Sequence, residues 1–245
     1  MFLPSFDDVM EIHNELAEMF REDSDPIEPP GARDEHLVHS ACHRPHTGIG
    51  NHDKYVSVFD KAAALFHSLT QNHAFHNGNK RTALVTLLAT LYRNNRIMDY
   101  NVSDDLLYEM TVAVANGSFL GTEERLEPDM AVEQISIWLR SNTMARNPAP
   151  SDMRADDFFR RCEINGCTVR PYSGGKLIIY GQKGIKISSD TRQFSGKVAK
   201  SYLSTLGLTL GQTGKTFPEF QNVDDPEERR AIYKYMSALR QLAKI

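Results

Sequence analysis

An apolar segment in the first half of the chain, "KRTALVTLLATLYRNN" at residues 80–95, limits what this protein can fold into. Its length and composition predict a helix whose apolar side chains lie on nearly all sides. Such a helix is stable in water only where other elements cover it. We therefore predict that residues 80–95 form the central, buried helix of a helical bundle.

The segments around this helix have the patterns of amphipathic helices. In "SFDDVMEIHNELAEMF", residues 5–20, the apolar residues follow helical spacing and Ser5 is suited to the N-cap position. Similar patterns occur at residues 32–43, 56–75, 102–117 and 126–142. The first part of the chain is therefore predicted to be helical.

The composition changes near residue 145. "NTMARNPAPSD" is rich in proline and small polar residues, which is typical of a linker. We therefore predict a helical domain at residues 1–145, a linker at residues 146–152 and a second domain at residues 153–245.

The second domain has a mixed pattern. A predicted helix at residues 152–166 precedes three short β-like runs, which are separated by glycine-containing hairpin signals. Helices are predicted again at residues 195–208 and 224–245. The fold class is therefore mainly α, with a helical bundle followed by a small α+β domain of order α-β-β-β-α.

Charge is unevenly divided along the 245 residues. Residues 1–150 hold 12 basic and 22 acidic side chains, a net charge of −10, whereas residues 151–245 hold 16 and 10, a net charge of +6. Two interpretations of this charge asymmetry remain open: the two parts bind different partners, or their opposite charges attract them to each other.

The sequence has no signal for membrane insertion or secretion. No apolar run approaches the roughly 18 residues that a membrane-spanning helix needs. The acidic, amphipathic start lacks the basic and apolar regions of a signal peptide. Cys42, Cys162 and Cys167 have no framework spacing, so we expect reduced thiols and no metal site on them. These features predict a cytoplasmic protein.

The stretch "HAFHNGNKRTALV", residues 73–85, leads into the central helix. A helix N-terminus presents unpaired N–H groups and positive partial charge, and a glycine there allows an anion to approach closely. Lys80 and Arg81 add cationic groups, and His73 lies where a histidine can act as a general base. The alternative is a solvated connection between two helices with an ordinary Asn cap.

The pattern His-x-Phe-x-x-Gly-Asn-Lys-Arg at residues 73–81 resembles the signature of the Fic/Doc family, in its death-on-curing (Doc) form. The similarity in helix order covers roughly residues 3–143. By this resemblance, His73 matches the general base that deprotonates the target hydroxyl. Phe75 matches a structural aromatic residue.

The same resemblance assigns the phosphate-binding positions. Gly78 and Asn79 match the anion hole, and Lys80 and Arg81 match groups that hold the phosphates of a nucleotide, usually ATP. Such enzymes transfer an AMP or phosphoryl group to a Ser, Thr or Tyr hydroxyl of a protein, which for Doc is a translation elongation factor. The family's metal is normally Mg²⁺.

The resemblance thus predicts a nucleotide-dependent protein transferase, acting as a toxin that an antitoxin protein restrains. One position departs from the family pattern. Asn77 stands where an Asp or Glu usually binds Mg²⁺, and an amide is a weaker ligand for this cation. Three outcomes stay open: Asn77 still binds the metal, His76 alters the site, or the activity is lost or uses another donor. The alternative function is therefore a catalytically weakened Fic/Doc fold that serves as a binding module.

Residues 29–55 correspond to the family's flap and target-docking region. They contain several histidines, which we interpret as surface residues rather than zinc ligands: His36, His39, His43 and His46. "SDPIEP" at residues 24–29 resembles the family's inhibitory motif only in its Glu spacing, and we reject it. We also reject a P-loop in "GQTGKTF" at residues 211–217, because the first glycine of that motif is missing.

The second domain is loosely similar to HicA toxins and double-stranded RNA-binding modules. The HicA catalytic histidine is missing from "SGGK", so we predict no nuclease activity. Eight basic residues are candidates for contacts with phosphates: Arg160, Arg161, Arg170, Lys176, Lys183, Lys186, Lys197 and Lys200. Two interpretations stay open: residues 153–245 bind nucleic acid, or their basic face docks an acidic partner or the acidic first domain.

Overall fold

A computed structural model describes residues 1–50, 52–122, 124–146, 152–208, 220 and 226–244. The chain divides into two compact units. The first unit comprises Met1–Arg146 and Glu227–Ile245, and the second comprises Asn147–Pro226.

Helices dominate the first unit. They are α1 (Phe6–Met19), α2 (Glu35–His43), α3 (Val58–Gln71), α4 (Asn79–Arg93), α5 (Asp104–Ala115) and α6 (Pro128–Asn142). A short 3₁₀ turn, Arg44–His46, follows α2. Two small antiparallel pairs complete this part, β1 (Gly48–Ile49) with β2 (His52–Asp53) and β3 (Arg96–Met98) with β4 (Thr143–Ala145).

Serine caps fix the starts of three helices in this unit. The Ser5 hydroxyl accepts a hydrogen bond from the Asp8 backbone N–H, and the Ser5 backbone N–H donates to the Asp8 carboxylate, which forms a capping box. Ser57 caps α3 in the same way, and Ser103 caps α5. The predicted cap at Ser5 is therefore confirmed.

The central helix of the first unit is α4. Its residues from Arg81 to Tyr92 are all buried. The helix lies against α1, α3 and α5, which cover its sides. The prediction of a helix enclosed by other helices is confirmed, and the apolar surface that α4 buries stabilises this core.

The second unit has the predicted order of elements. Helix α7 (Ala155–Ile164) follows the short strand β5 (Met153–Arg154). The sheet has the order β6 (Thr168–Tyr172), β7 (Gly175–Tyr180), β8 (Lys183–Ser188), and each strand is antiparallel to its neighbour. Strand β9 (Gln193–Phe194) pairs with β5, and α8 (Gly196–Leu206) follows. The mainly α fold class with a small α-β-β-β-α unit is thus confirmed.

The last part of the chain departs from the sequence prediction. Residues 224–245 were expected to form one helix of the second domain. The structure instead has α9 (Pro226–Tyr233) and α10 (Met236–Gln241), followed by the 3₁₀ turn Leu242–Lys244. These elements belong to the first unit.

Burial explains where the C-terminal helices pack. Ile232, Tyr235, Leu239 and Leu242 are buried in the same core as α1, α3 and α4. The Asp104 carboxylate at the start of α5 accepts a 2.9 Å hydrogen bond from the Ala238 backbone. Two ion pairs, Arg93–Glu228 and Arg229–Glu15, add contacts at the edge. The predicted boundary of the second domain at residue 245 therefore differs from the structure.

Within the described ranges, no helix has the length and apolar character needed to cross a membrane. Most of the predicted linker, 146–152, and the whole of "GQTGKTF", 211–217, lie outside the described residues.

Replacement of Leu239 by Ala tests the placement of the C-terminal helices. Leu239 is fully buried in the first core, so Leu239→Ala should lower the free energy of unfolding of that unit by about 2–5 kcal/mol. Trp138, the one tryptophan of the chain, packs on this core and reports its unfolding by fluorescence. Met130→Ala removes an exposed side chain and should change the value by less than about 0.5 kcal/mol. Hydrogen exchange, measured for each element in Leu239→Ala and in the unmodified protein, checks the placement. A larger increase in exchange rate in β6–β8 than in α5 would contradict it.

Candidate functional site

A pocket lies where α3 ends and α4 begins, and it contains the predicted motif. Its volume is about 150 Å³. The lining comes from the motif, from the ends of α3 and α5 and from the C-terminal turn: Thr70, His73, His76, Asn77, Gly78, Asn79, Lys80, Arg81, Ala115 and Leu242. The pocket therefore brings together the predicted general base, anion-hole and phosphate-binding residues.

His73 is exposed and adopts a left-handed backbone conformation, with φ of 48°. It follows Asn72, the C-cap of α3, whose backbone N–H bonds to the Ser68 carbonyl. Helices often end with a left-handed residue at this position, and glycine or asparagine occupies it most easily. Non-glycine residues in this conformation are uncommon, and they concentrate at functional sites.

The Asn79 side chain holds the motif loop in place. Its Oδ1 accepts a hydrogen bond from the Phe75 backbone N–H, and its Nδ2 donates to the Phe75 carbonyl, both at 2.9 Å. The Phe75 ring is buried in the first core. Asn79 is the first residue of α4, so its backbone N–H has no partner within the helix. The side chain therefore shapes the loop, and the backbone N–H is the group suited to an anion.

Gly78 precedes α4 and has φ of 76°, a left-handed conformation that favours glycine. A Cβ atom at this position would lie 2.8 Å from Cδ1 of Ile27. The lack of a side chain thus allows Ile27 to pack against the start of α4. Glycine is required here for packing as well as for access to the helix N-terminus.

The two cationic residues of the motif have different surroundings. Lys80 is half-buried and lines the pocket, and burial lowers the pKa of its ammonium group, with a further contribution from Arg81. Arg81 is only 1% exposed. Its guanidinium donates to the Asp25 carbonyl at 3.0 Å and lies 4.9 Å from the centre of the Phe20 ring. Lys80 is therefore the cation of the pocket, whereas Arg81 also anchors the segment that contains Asp25.

Both polar atoms of the Asn77 side chain make contacts within the protein. Oδ1 accepts a 2.6 Å hydrogen bond from the Gly78 backbone N–H. Nδ2 donates to the Pro26 carbonyl at 3.2 Å. A carboxylate cannot make this second contact because it has no proton to donate. The amide at position 77 thus joins the motif to the segment before α2.

The donor set of the pocket does not fit a divalent cation held by the protein. Its described lining contains no carboxylate, and it includes two cationic side chains. The Asn77 oxygen already accepts a hydrogen bond. Mg²⁺ prefers carboxylate ligands together with phosphate oxygens and water. The lining fits an anion, and the predicted metal role of Asn77 has no support from this geometry.

The segment that precedes α2 is paired with the motif loop. Ala32 forms an antiparallel bridge with Phe75. The Ala74 carbonyl accepts hydrogen bonds from the backbone N–H groups of Arg33 and Asp34, at 2.8 and 3.1 Å. These contacts place the start of the predicted flap region beside the motif.

His13 on α1 is a component of the site that the sequence analysis missed. It is fully buried and stacks on the Phe75 ring with a centroid distance of 4.0 Å. Its Nε2 accepts a 3.0 Å hydrogen bond from the Gly31 N–H, which requires that Nδ1 carries the proton and donates it to Thr82 Oγ1 at 2.9 Å. Burial, together with the charge of Arg81, lowers the pKa of His13 to about 4. The neutral ring therefore links α1, α4 and the motif loop.

A larger pocket of about 730 Å³ lies beside the hairpin of β1 and β2. Arg44 lines it and bonds to His67 Nδ1 and Ser68 Oγ on α3, each at 3.2 Å. Burial and the Arg44 charge lower the pKa of His67 to about 4. This hairpin lies in the region predicted to be the flap, within residues 29–55.

The histidines of this region were interpreted as surface residues. His39 stacks on Phe6 at 4.0 Å. In the part of the chain that the structure describes, no three His, Cys, Asp or Glu side chains cluster in a way that could hold a metal ion.

Two comparisons with known proteins concern this part of the chain. A family model described as the Fic/DOC family matches residues 4–91, which include the whole motif. A segment of 82 residues is 39% identical to a protein named Toxin Doc from Mycolicibacterium smegmatis (strain ATCC 700084 / mc(2)155). The match covers 32% of this chain and 63% of that relative.

The two buried histidines predict how stability depends on pH. Both pKa values lie near 4 in the folded protein and near 6.5 in the unfolded chain. Below pH 6.5 the unfolded chain therefore binds protons that the folded protein does not. The free energy of unfolding should fall as the pH is lowered from 6.5 to about 4, by up to about 1.4 kcal/mol per pH unit for each histidine.

Urea denaturation between pH 6.5 and 5, followed by Trp138 fluorescence, measures this slope. His67→Gln should reduce the slope by about half, since one of the two groups is removed. An unchanged slope in that variant would contradict a neutral, buried His67.

The contact between Asn77 and Pro26 predicts the effect of an acid at this position on stability. Asn77→Asp removes the donor and places a carboxylate against the Pro26 carbonyl, so the free energy of unfolding at pH 7 should fall by about 1–3 kcal/mol. Asn14→Asp introduces the same charge at an exposed position of α1 and should change it by less than about 0.5 kcal/mol. Equal effects of the two substitutions would show that the Pro26 contact contributes nothing.

Proposed function

We propose that residues 4–91, which match the Fic/DOC family model, form a Fic/DOC domain, and that the protein transfers a phosphoryl or AMP group from ATP to a hydroxyl group of a target protein. The observation that carries the proposal is the pocket at the start of α4. It places His73 beside the N-terminus of a buried helix and beside the Lys80 side chain. A base next to an anion-binding helix terminus is suited to phosphoryl transfer, because it positions a phosphate beside a group that can take a proton.

Each of these residues has a role in the proposed reaction. Gly78 allows the phosphate to approach the start of α4, the Asn79 backbone N–H donates a hydrogen bond to a phosphate oxygen, and Lys80 and Arg81 balance the phosphate charge. His73 takes the proton of a Ser, Thr or Tyr hydroxyl, and that oxygen forms a bond to phosphorus. Attack on the γ-phosphorus breaks its bond to the bridging oxygen and releases ADP, whereas attack on the α-phosphorus releases pyrophosphate.

The proposed biological role follows from the relative named Toxin Doc. We infer that this protein acts as a toxin whose target is a protein, and that an antitoxin protein restrains it. A translation factor is the target class suggested by the Doc-like motif. The chain spans about 63% of the length of this relative, so the whole relative's activity and partners remain proposals for this protein.

A second candidate function rests on Asn77. Both of its side-chain polar atoms are used within the protein, and the described lining of the pocket contains no carboxylate. These features favour a module that binds a nucleotide or another anion without efficient transfer. The two candidates differ in whether phosphate from ATP becomes attached to a protein.

Incubation with cell lysate and ATP, labelled at either the α- or the γ-phosphate, separates the two candidates. We expect one of the two labels to appear on a protein, and the labelled position identifies the transferred group. His73→Asn removes the imidazole but keeps a residue that tolerates the left-handed conformation, so it should reduce labelling about 100-fold or more without loss of folding.

His43→Asn is the matched control, because His43 is exposed on α2 and does not line the pocket. The amount of label transferred by His43→Asn should equal that transferred by the unmodified protein. Labelling that survives His73→Asn would exclude His73 as the base. No labelling from either form of ATP, together with ATP binding that depends on Lys80, would favour the binding module. Stronger labelling by Asn77→Asp would show that the natural amide limits transfer.

A further inference from the structure

The sheet of the second unit has two faces of different character. Ile178, Ile185 and Ile187 point to one face and are buried. They pack in one core with residues of α7 and α8, such as Phe158 and Leu203. Both described helices of the unit therefore cover the same face of the sheet.

Strand alternation assigns every second residue of the three strands to the opposite face, which we call the open face. Its members are Thr168, Arg170 and Tyr172 on β6, Gly175, Leu177 and Ile179 on β7, and Gly184, Lys186 and Ser188 on β8. The position of Gly184 agrees with this assignment. A Cβ atom there would lie 3.8 Å from Leu177 and 3.9 Å from Ile179.

The open face combines cations with an aromatic ring and aliphatic side chains. Arg170 and Lys186 are exposed and flank Leu177, with which both are in register. Lys186 Nζ lies 5.6 Å from the centre of the Tyr172 ring. Adjacent strands are about 4.8 Å apart, so the two cations lie on either side of a narrow apolar strip.

Acidic residues are absent from the open face and scarce around it. Residues 168–208, all of which the structure describes, contain seven basic side chains and one acidic side chain, Asp190. The other described acids of the unit precede the sheet, on α7 or beside it, as Asp156 and Glu163 illustrate. The described charges of the sheet and α8 are therefore mostly positive, which favours a polyanion as the occupant of the open face.

We propose that the open face of the β6–β7–β8 sheet binds single-stranded nucleic acid. Arg170 and Lys186 neutralise phosphates, while Tyr172 stacks on a base and Leu177 and Ile179 contact base or sugar surfaces. A single strand presents free base faces for such contacts, whereas the bases of a duplex are already stacked. An acidic protein would match the charge but would give no specific role to the Tyr172 ring. The proposal concerns the second unit and does not depend on the transfer activity of the first.

Fluorescence anisotropy of the full-length protein with labelled 12-nucleotide oligo-U and oligo-dT tests the proposal. We expect binding of at least one strand with a dissociation constant of about 10⁻⁵ M or tighter at 50 mM salt. The double variant Arg170→Ala/Lys186→Ala should reduce the slope of log K against log salt concentration by about 1.4, because two phosphate contacts are lost. Comparison of the dissociation constants for oligo-U and oligo-dT shows whether RNA or DNA is preferred.

The Tyr172 ring has its own predicted effect. Tyr172→Ala should weaken binding at least about fivefold without changing the salt slope, and Tyr172→Phe should keep the affinity within about twofold, since a phenyl ring also stacks. Thermal unfolding of each variant checks that the sheet is intact.

Arg154→Ala/Arg192→Ala is the matched control. It removes two exposed charges of the same unit that lie at the pair of β5 and β9, outside the open face. The affinity and slope should stay close to those of the unmodified protein. Equal losses in the two double variants would overturn the proposal, because binding would then follow net charge alone. No binding of either strand at 50 mM salt, or tighter binding of a duplex of equal length, would also overturn it.

Discussion

The burial of α4 is the constraint on which the first unit depends. A helix that is apolar on all sides must be covered on all sides, and α1, α3 and α5 provide this cover together with the C-terminal helices. The N-terminus of α4 borders the motif pocket, and Gly78 precedes it in a left-handed conformation. The same packing that stabilises the core therefore presents the positive end of a helix dipole to an anion.

Much of this architecture could be predicted from the sequence. The apolar pattern of residues 80–95 identified the central helix, and the serine at position 5 identified a cap, because both signals are local. The C-terminal helices were assigned to the wrong unit, since an amphipathic pattern shows that a face is buried but not which core buries it. The partners of the motif were missed for a similar reason. His13 and Pro26 lie far from it in the sequence, and only the folded chain brings them into contact.

The structure gives Asn77 a role that the sequence motif does not show. Seen in the motif alone, it is a neutral residue in place of an acid. In the folded protein its amide connects the Gly78 N–H to the Pro26 carbonyl, a pair of contacts that needs one acceptor and one donor. An acid supplies only acceptors. An amide at position 77 can hold the motif loop to the segment before α2, whereas a carboxylate there would offer a charged oxygen to a cation. This chain has the amide and therefore the contact with Pro26.

Leu242 lines the motif pocket although it lies about 160 residues after the motif in the sequence. During synthesis the motif emerges from the ribosome long before this residue exists. Helices α1 to α6 precede the second unit in the chain and are synthesised before it, but the pocket gains this part of its wall only after the entire second unit has been translated. A nascent chain thus carries an incomplete site, and the time needed to synthesise the second unit delays the completion of the pocket.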